Sequence, residues 1–274
     1  MNKLLIALDM DGTLLTSKKT ISRKTKRLLQ GLQKKGHLII LASGRPSRAL
    51  LPYYNELGLT SPIICYNGAY VYNPHDSTFK VEEFEFPKEI IKEIYKDLDG
   101  KFIKNVMCEN DTDIWLDKKD IYLAKFFWYE GMKMHYGDID KILNSNPMTM
   151  IMQSATIPVN QSEIEKAVLR HEGINVRFWG GSPYCEIYFE QTSKGASVSY
   201  IAEQFGIKKS DIIAFGDADN DIELLRSAGI SVSMSNGIGH IKENAKMISI
   251  KDNDHDGIYY TLKKIIRDKK KSKS

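Results

Sequence analysis

Short apolar runs alternate with amphipathic stretches at the start of the chain. The run Leu4-Leu5-Ile6-Ala7-Leu8 predicts a strand near 4–8, Ser22 opens a helix, a second strand falls near 37–42, a helix follows Pro46, and a third strand lies near 62–66. This is β/α winding with parallel strands. The rhythm returns late, with a helix near 195–205, the strand Ile212-Ile213-Ala214-Phe215, a helix near 219–227, a short strand from Ile230 to Val232 and a last helix near 257–267. The two halves are expected to share one sheet.

Residues 85–188 break this rhythm. A helix from Pro87, an extended pair near 103–116, a helix near 118–130, a strand from Met148 to Ser154, a helix near 161–172 and a hairpin over 174–189 turning at Gly180-Gly181-Ser182-Pro183 form an α+β pattern. The segment also holds Phe126, Phe127, Trp128, Met148, Met150, Met152 and Trp179, side chains most often used to fill a core. It reads as a separate module inserted into an α/β domain.

Composition narrows the class. With 42% hydrophobic and 27% charged residues in 274, the chain has the make-up of a soluble globular protein of one large or two moderate domains. The formal charge of +4 belongs to the tail: residues 263–274 carry seven Lys or Arg against one Asp, and the rest is slightly acidic. A solvated helix end accounts for that tail, so neither nucleic acid nor a membrane is an expected partner. Cys65, Cys108 and Cys185 are odd in number and widely spaced, which argues against a disulfide framework or a zinc site and for a reducing compartment. The first apolar run is cut by Asp9, too short for a signal-peptide core, and no stretch approaches the ~20 apolar residues of a membrane span. A cytoplasmic protein is expected.

Ligands of open α/β sheets bind at the carboxyl ends of the strands, and four polar segments fall there or open the helices beside them. Asp9 and Asp11, in Asp9-Met10-Asp11-Gly12-Thr13, leave the first strand with nothing adjacent to neutralise two carboxylates. Such a pair suits Mg²⁺, a hard cation content with few protein oxygens, and a carboxylate held there can attack phosphorus; capping a turn is the other reading. Ser43-Gly44-Arg45 offers a hydroxyl and backbone N–H groups at a helix start, fit for phosphate oxygens or for capping alone. Lys194 opens a helix at the positive end of its dipole and so calls for an anion nearby, unless it is a surface lysine. In Gly216-Asp217-Ala218-Asp219-Asn220-Asp221 an acidic helix N-terminus explains Asp219 and Asp221 but fits Asp217 less well, and metal ligation is the better account of the cluster.

In this order, Asp9-Met10-Asp11-Gly12-Thr13, Ser43-Gly44-Arg45, Lys194 and Gly216-Asp217…Asn220-Asp221 resemble the four motifs of the haloacid dehalogenase superfamily. With the insert between the second and third, they resemble in particular the Cof-type phosphatases of subclass IIB. Tyr66-Asn67-Gly68-Ala69 is similar to a loop of that subclass near the active-site entrance. Glu190-Gln191-Thr192 departs from the pattern, lacking the glycine or proline usual before the lysine, which bears on the path of that loop and not on the lysine's role.

The resemblance implies a Rossmann-like parallel-sheet core (residues 1–84 and 189–274) with an inserted α+β cap (85–188) acting as a lid. It implies a Mg²⁺-dependent phosphomonoester hydrolase working through an aspartyl phosphate. Asp9 would be nucleophile and metal ligand. Asp11 would protonate the leaving oxygen and lend its backbone carbonyl to the metal, Asp217 would complete the ligands, and Asn220 and Asp221 would support phosphate and metal. The Met10 N–H, Ser43, the Gly44 N–H and Lys194 would hold the phosphoryl oxygens. An acid at Asp11 favours hydrolysis, since the transport ATPases of the superfamily carry Thr there. To act as an acid Asp11 must start protonated, so its pKa is expected above the ordinary ~3.9. A phosphosugar mutase and a non-catalytic phosphate-binding module are the competing readings. The expected partner is a small phosphate ester, a sugar phosphate or a cofactor or nucleotide phosphate, met by Arg45 and Asn67 at the site and by Arg177 and Trp179 on one face of the 174–189 hairpin. A lid lets a monomer or weak homo-oligomer suffice.

Overall fold

The central strands of the parallel sheet are unbroken apolar runs, the pattern of a sheet covered by helices on both faces. In the computed structural model, which describes residues 2–120, 128–156 and 160–271, Leu5–Leu8 lies between Leu38–Leu41 and Ile212–Gly216 and runs parallel to both. Ile230–Ser233 and the short Met247–Ile248 extend the sheet on the side of Ile212–Gly216. The two ends of the chain thus share one sheet, as the winding predicts. Leu5, Ile6, Leu8, Ile40 and Ile213 are fully buried, and each such side chain contributes about 1.5–3 kcal/mol. Ser22 caps the helix Arg23–Gln33, its hydroxyl accepting the Thr25 N–H.

The chain divides into two compact units, one comprising Met1–Arg45, Leu50–Glu82 and Ser193–Ser274, the other Pro46–Ala49 and Glu83–Thr192. The second unit is built on a six-stranded sheet in the order 174–178, 184–189, 149–154, 103–109, 113–116, 133–136. It is antiparallel except where Asp113–Leu116 runs parallel to Lys133–Tyr136. The helices Lys88–Leu98 and Gln161–Leu169 contribute Ile91, Ile94 and Ile164 to a core with Val106, Trp115, Met150 and Met152. Met107, Ile114, Leu116 and Ile151 form a second cluster, with Trp179 packed against it. Met150 and Met152 fill the core and Trp179 packs against the second cluster, as expected, whereas Trp128 is exposed at the surface and fills no core.

Several elements differ from expectation. The helix near 219–227 begins as a 3₁₀ turn, Asp219–Asp221, before Ile222–Ser227 becomes α-helical, because the Asp221 carboxylate accepts the Asp217 and Ala218 N–H groups and draws the chain into a tighter turn. The helix near 161–172 stops at Leu169, and the last helix runs on to Lys271. Tyr70–Tyr72, Glu82–Glu83, Lys133–Tyr136 and Met247–Ile248 are strands, and Ile139–Ile142 and Gly239–Glu243 helices, too short to leave a periodic signal. Of the helix expected near 118–130, residues 121–127, with Phe126 and Phe127, lie outside the described residues, as does Lys273 of the basic tail. Cys65, Cys108 and Cys185 are buried. Among the described residues no helix is long and apolar enough to cross a membrane.

Candidate active site

Asp9 follows Leu5–Leu8 directly. Because Leu8 is in register with Leu41 on one side and Phe215 on the other, the loops after Leu41 and Gly216 emerge beside it. Lys194 arrives on the helix Lys194–Gln204, capped by Ser193, whose hydroxyl accepts the Ala196 N–H. In the unusual approach Glu190-Gln191-Thr192, the Thr192 N–H and hydroxyl both donate to the Phe189 carbonyl, at 3.0 and 2.9 Å. Threonine thereby closes the turn without glycine or proline.

Lys194 is 1% exposed and donates to Asp9 Oδ1 at 2.6 Å and Asp221 Oδ1 at 2.7 Å, the anions its place on a helix dipole called for. Burial opposes its charge, but Asp221 and Asp9 outweigh burial and hold the ammonium protonated beyond the usual lysine range. Asp221 is fully buried, and its second oxygen accepts the N–H groups of Asp217 at 2.9 Å and Ala218 at 3.1 Å. Asp217 accepts the Thr13 hydroxyl at 2.6 Å.

Asp9, Asp217 and Asp221 can each offer a carboxylate oxygen within 4.8 Å of the others. Burial, and next the Asp221 charge, pushes Asp9 well above the usual carboxylate range. Burial also lifts Asp217 to about 6, against the Thr13 hydrogen bond. Three hard, mutually repelling oxygen donors with one ammonium among them fit a divalent cation such as Mg²⁺. Gly12 is required by this packing: at φ +79° a Cβ would meet Asp217 Oδ2 at 2.3 Å.

Asp11 departs from expectation. Its carboxylate receives Arg45 Nε at 2.6 Å, Arg45 Nη2, and Lys19 Nζ at 2.6 Å. Burial pushes the carboxyl up, but the Arg45 and Lys19 hydrogen bonds outweigh it and hold Asp11 below its ordinary value. The expected upward shift is therefore corrected: two cations on one half-exposed carboxylate exceed the penalty of partial burial.

Ser43 is buried, and its hydroxyl accepts the Arg45 N–H at 3.2 Å within the loop that precedes Ser47–Leu57. The Ser43 carbonyl accepts the Asn67 N–H at 2.9 Å, and a Cβ on Gly44 would lie 2.9 Å from Asn67 Nδ2. Asn67, left-handed at φ 55°, accepts Asn220 Nδ2 at 2.9 Å, so the second and fourth motifs are joined through it. The Met10 side chain is fully buried, and its carbonyl accepts the Leu15 N–H at 2.8 Å. Arg45, expected to meet substrate, pairs with Asp11. Arg177 and Trp179 belong to the second unit, where the Arg177 guanidinium lies 4.6 Å from the Tyr188 ring centroid and Trp179 packs on Tyr184 at 6.0 Å. Lys19, Thr13 and Asn236, whose Nδ2 donates to the Gly12 carbonyl at 2.8 Å, also meet these loops and were not anticipated. Only Thr13 carried a signal, as part of the first motif.

A family model of haloacid dehalogenase-like hydrolases matches residues 6–262. The 5-amino-6-(5-phospho-D-ribitylamino)uracil phosphatase YitU of Bacillus subtilis is 32% identical over 260 residues, covering 94% of this chain and 96% of that protein. The pyridoxal phosphate phosphatase YbhA of Escherichia coli is 28% identical over 262 residues, covering 92% and 95%. Among solved structures, a haloacid dehalogenase-like hydrolase from Bacteroides thetaiotaomicron superposes with a TM-score of 0.80 at 26% identity, over 96% of this chain and 100% of that one.

Proposed function

The chain belongs to the haloacid dehalogenase-like hydrolase family; from that premise we propose that it is a Cof-type phosphatase of subclass IIB, a Mg²⁺-dependent phosphomonoester hydrolase acting through an aspartyl phosphate on Asp9. The observation that carries this reading is the buried group of Asp9, Lys194 and Asp221 with Asp217 alongside. Phosphoryl transfer needs positioning and charge neutralisation around the transferring oxygens more than elaborate covalent chemistry.

Asp9, aligned by Lys194, attacks phosphorus. The oxygens of Asp9, Asp217 and Asp221, with the Asp11 carbonyl, would hold Mg²⁺, whose charge keeps Asp9 ionised against burial and acid repulsion and neutralises the phosphate. The Ser43 hydroxyl, the Met10 and Gly44 N–H groups and the Lys194 ammonium take the phosphoryl oxygens, and Asn220, tied to Asn67, supports them. Asp11 protonates the leaving oxygen and then takes a proton from the water that hydrolyses the intermediate. Held ionised by Arg45 and Lys19, it is already suited to the second task. The first requires a proton on the carboxyl, which the negative charge of a nearby phosphate favours while Arg45 and Lys19 keep the carboxyl in place.

Residues 85–188 serve as the lid that excludes water and reads the leaving group, with Arg177 and Trp179 as its candidate contacts. The activities for which the two relatives are named, toward a phosphoribitylamino-uracil and toward pyridoxal phosphate, support a small phosphorylated metabolite as substrate. The reading is tested by phosphate release from an aryl phosphate and a panel of metabolite phosphates, with and without Mg²⁺, beside Asp9→Asn. Mg²⁺-dependent turnover that vanishes in Asp9→Asn is expected. Transfer to added hexose phosphate faster than to water would replace hydrolase with mutase, and folded wild-type protein inert toward every ester would overturn the reading.

A further inference from the structure

Between Asp11 and the first helix the chain makes a tight excursion whose tip turns a lysine back onto the acid. Leu15 and Ile21 form an antiparallel bridge. The Thr16 N–H donates to the Thr20 carbonyl at 2.9 Å, the Lys19 N–H donates to the Thr16 carbonyl at 2.8 Å, and the two threonine hydroxyls meet at 2.9 Å. The turn holds Lys19 at φ 57°, a left-handed conformation that is strained for a residue with a side chain. The Lys19 carbonyl accepts the Tyr53 hydroxyl at 3.0 Å, and the Tyr53 ring lies 5.9 Å from the Arg45 guanidinium. Both cations that reach Asp11 are thus braced by the same tyrosine.

An exposed ion pair ordinarily contributes little, because two flexible side chains must be ordered to make it. Much of that ordering is already present here. Arg45, whose side chain is 8% exposed, engages both oxygens of the Asp11 carboxylate, and Lys19, 59% exposed, shares Oδ1 with it. We infer that Lys19 is a positioning residue for Asp11, fixing its carboxylate from the solvent side by the contact at 2.6 Å. The inference rests on the phosphatase reading, in which Asp11 must face the leaving oxygen. A surface lysine with no such part would leave catalysis indifferent to its removal.

The chemistry supplies a readout that a merely structural role does not move. A nitrophenolate departs readily without a proton, whereas an alkoxide needs one from the acid, so a misplaced acid penalises alkyl esters selectively. General acids contribute ~10²–10⁴-fold, and a displacement of ~1 Å can cost ~10²-fold. With Arg45 still holding Asp11, Lys19→Met is expected to lower kcat on an alkyl phosphate about tenfold and on p-nitrophenyl phosphate about twofold, with KM nearly constant. Lys19→Arg is expected to restore most of the loss, and Tyr53→Phe, which loosens the turn, to show a weaker form of the same selectivity. Equal losses on both esters, or none, would overturn the inference. Wild-type turnover is measured first: if no ester is hydrolysed with Mg²⁺ present, the phosphatase reading itself fails and takes the role of Lys19 with it.

Discussion

Replacing Lys194 with Met keeps an unbranched apolar stem and deletes the charge. In the wild-type protein the ammonium lies 2.6 Å from Asp9 Oδ1 and 2.7 Å from Asp221 Oδ1, with the lysine and Asp221 side chains both at 0% exposure. With an effective dielectric of about 20, opposite unit charges at that separation attract by about 6 kcal/mol. Much of this offsets dehydration, so the measurable cost is that of orphaning buried charge, about 3–5 kcal/mol. For a chain of this size that is a fall in Tm of about 10 °C. The loss is pH-dependent. Burial and Asp221 already push Asp9 up, and Lys194→Met removes the cation that opposes them. A carboxyl whose folded pKa lies above its unfolded value binds protons more readily when folded, so the destabilisation is full only above the folded pKa and is relieved as pH falls through it. Thermal unfolding at about pH 7 and about pH 5 is therefore expected to show a gap to wild type that narrows on acidification. Millimolar Mg²⁺ at neutral pH is expected to recover part of it by replacing the missing positive charge. A Tm within about 1 °C of wild type at neutral pH, or a gap that widens in acid, would refute the argument.

Gly12→Ala places a Cβ 2.3 Å from Asp217 Oδ2 at a φ of +79°; calorimetric titration is expected to show Mg²⁺ affinity reduced about 10–100-fold, with unchanged affinity counting against the metal site. In the second unit, burial raises Glu109 to about 7 despite its pairing with Arg48. Because its folded pKa exceeds its unfolded one, wild-type stability is expected to decline as pH rises from about 4.5 to about 7 and then level off. Glu109→Gln is expected to remove that slope in urea unfolding, and a slope surviving in the variant would place its source elsewhere.

The legible part of the fold rests on local rules. Runs such as Leu5–Leu8 and Ile212–Gly216 announce buried parallel strands because periodicity and β-propensity act over a few residues, and Ser22 announces a helix start because its hydroxyl meets an N–H three residues on. Met247–Ile248 was invisible because two residues carry no period, and Lys133–Tyr136 because its mixed, largely unburied Lys-Met-His-Tyr is neither an apolar run nor a clean alternation. The 3₁₀ turn at Asp219–Asp221 was hidden for a different reason: it depends on Asp221 accepting N–H groups from Asp217 and Ala218 while also facing Lys194.

The identities of the chemical groups were likewise written along the chain, since acids, a lysine and a serine beside strand ends or opening helices point to phosphate and metal wherever the sheet places them. Which group meets which was not. Asp11 is a carboxylate of the same kind as Asp9, yet it lies half-exposed between Arg45 and Lys19 while Asp9 is buried against Lys194, and this alone sends their proton affinities in opposite directions. Those partners stand 34, 8 and 185 residues away in sequence. Sequence thus determined the kinds of charge the site would hold, because side-chain chemistry travels with the residue. Tertiary structure decided their pairing and protonation, because Coulomb energy and dehydration depend on distance and burial, which only the crossing of distant loops at one sheet edge sets.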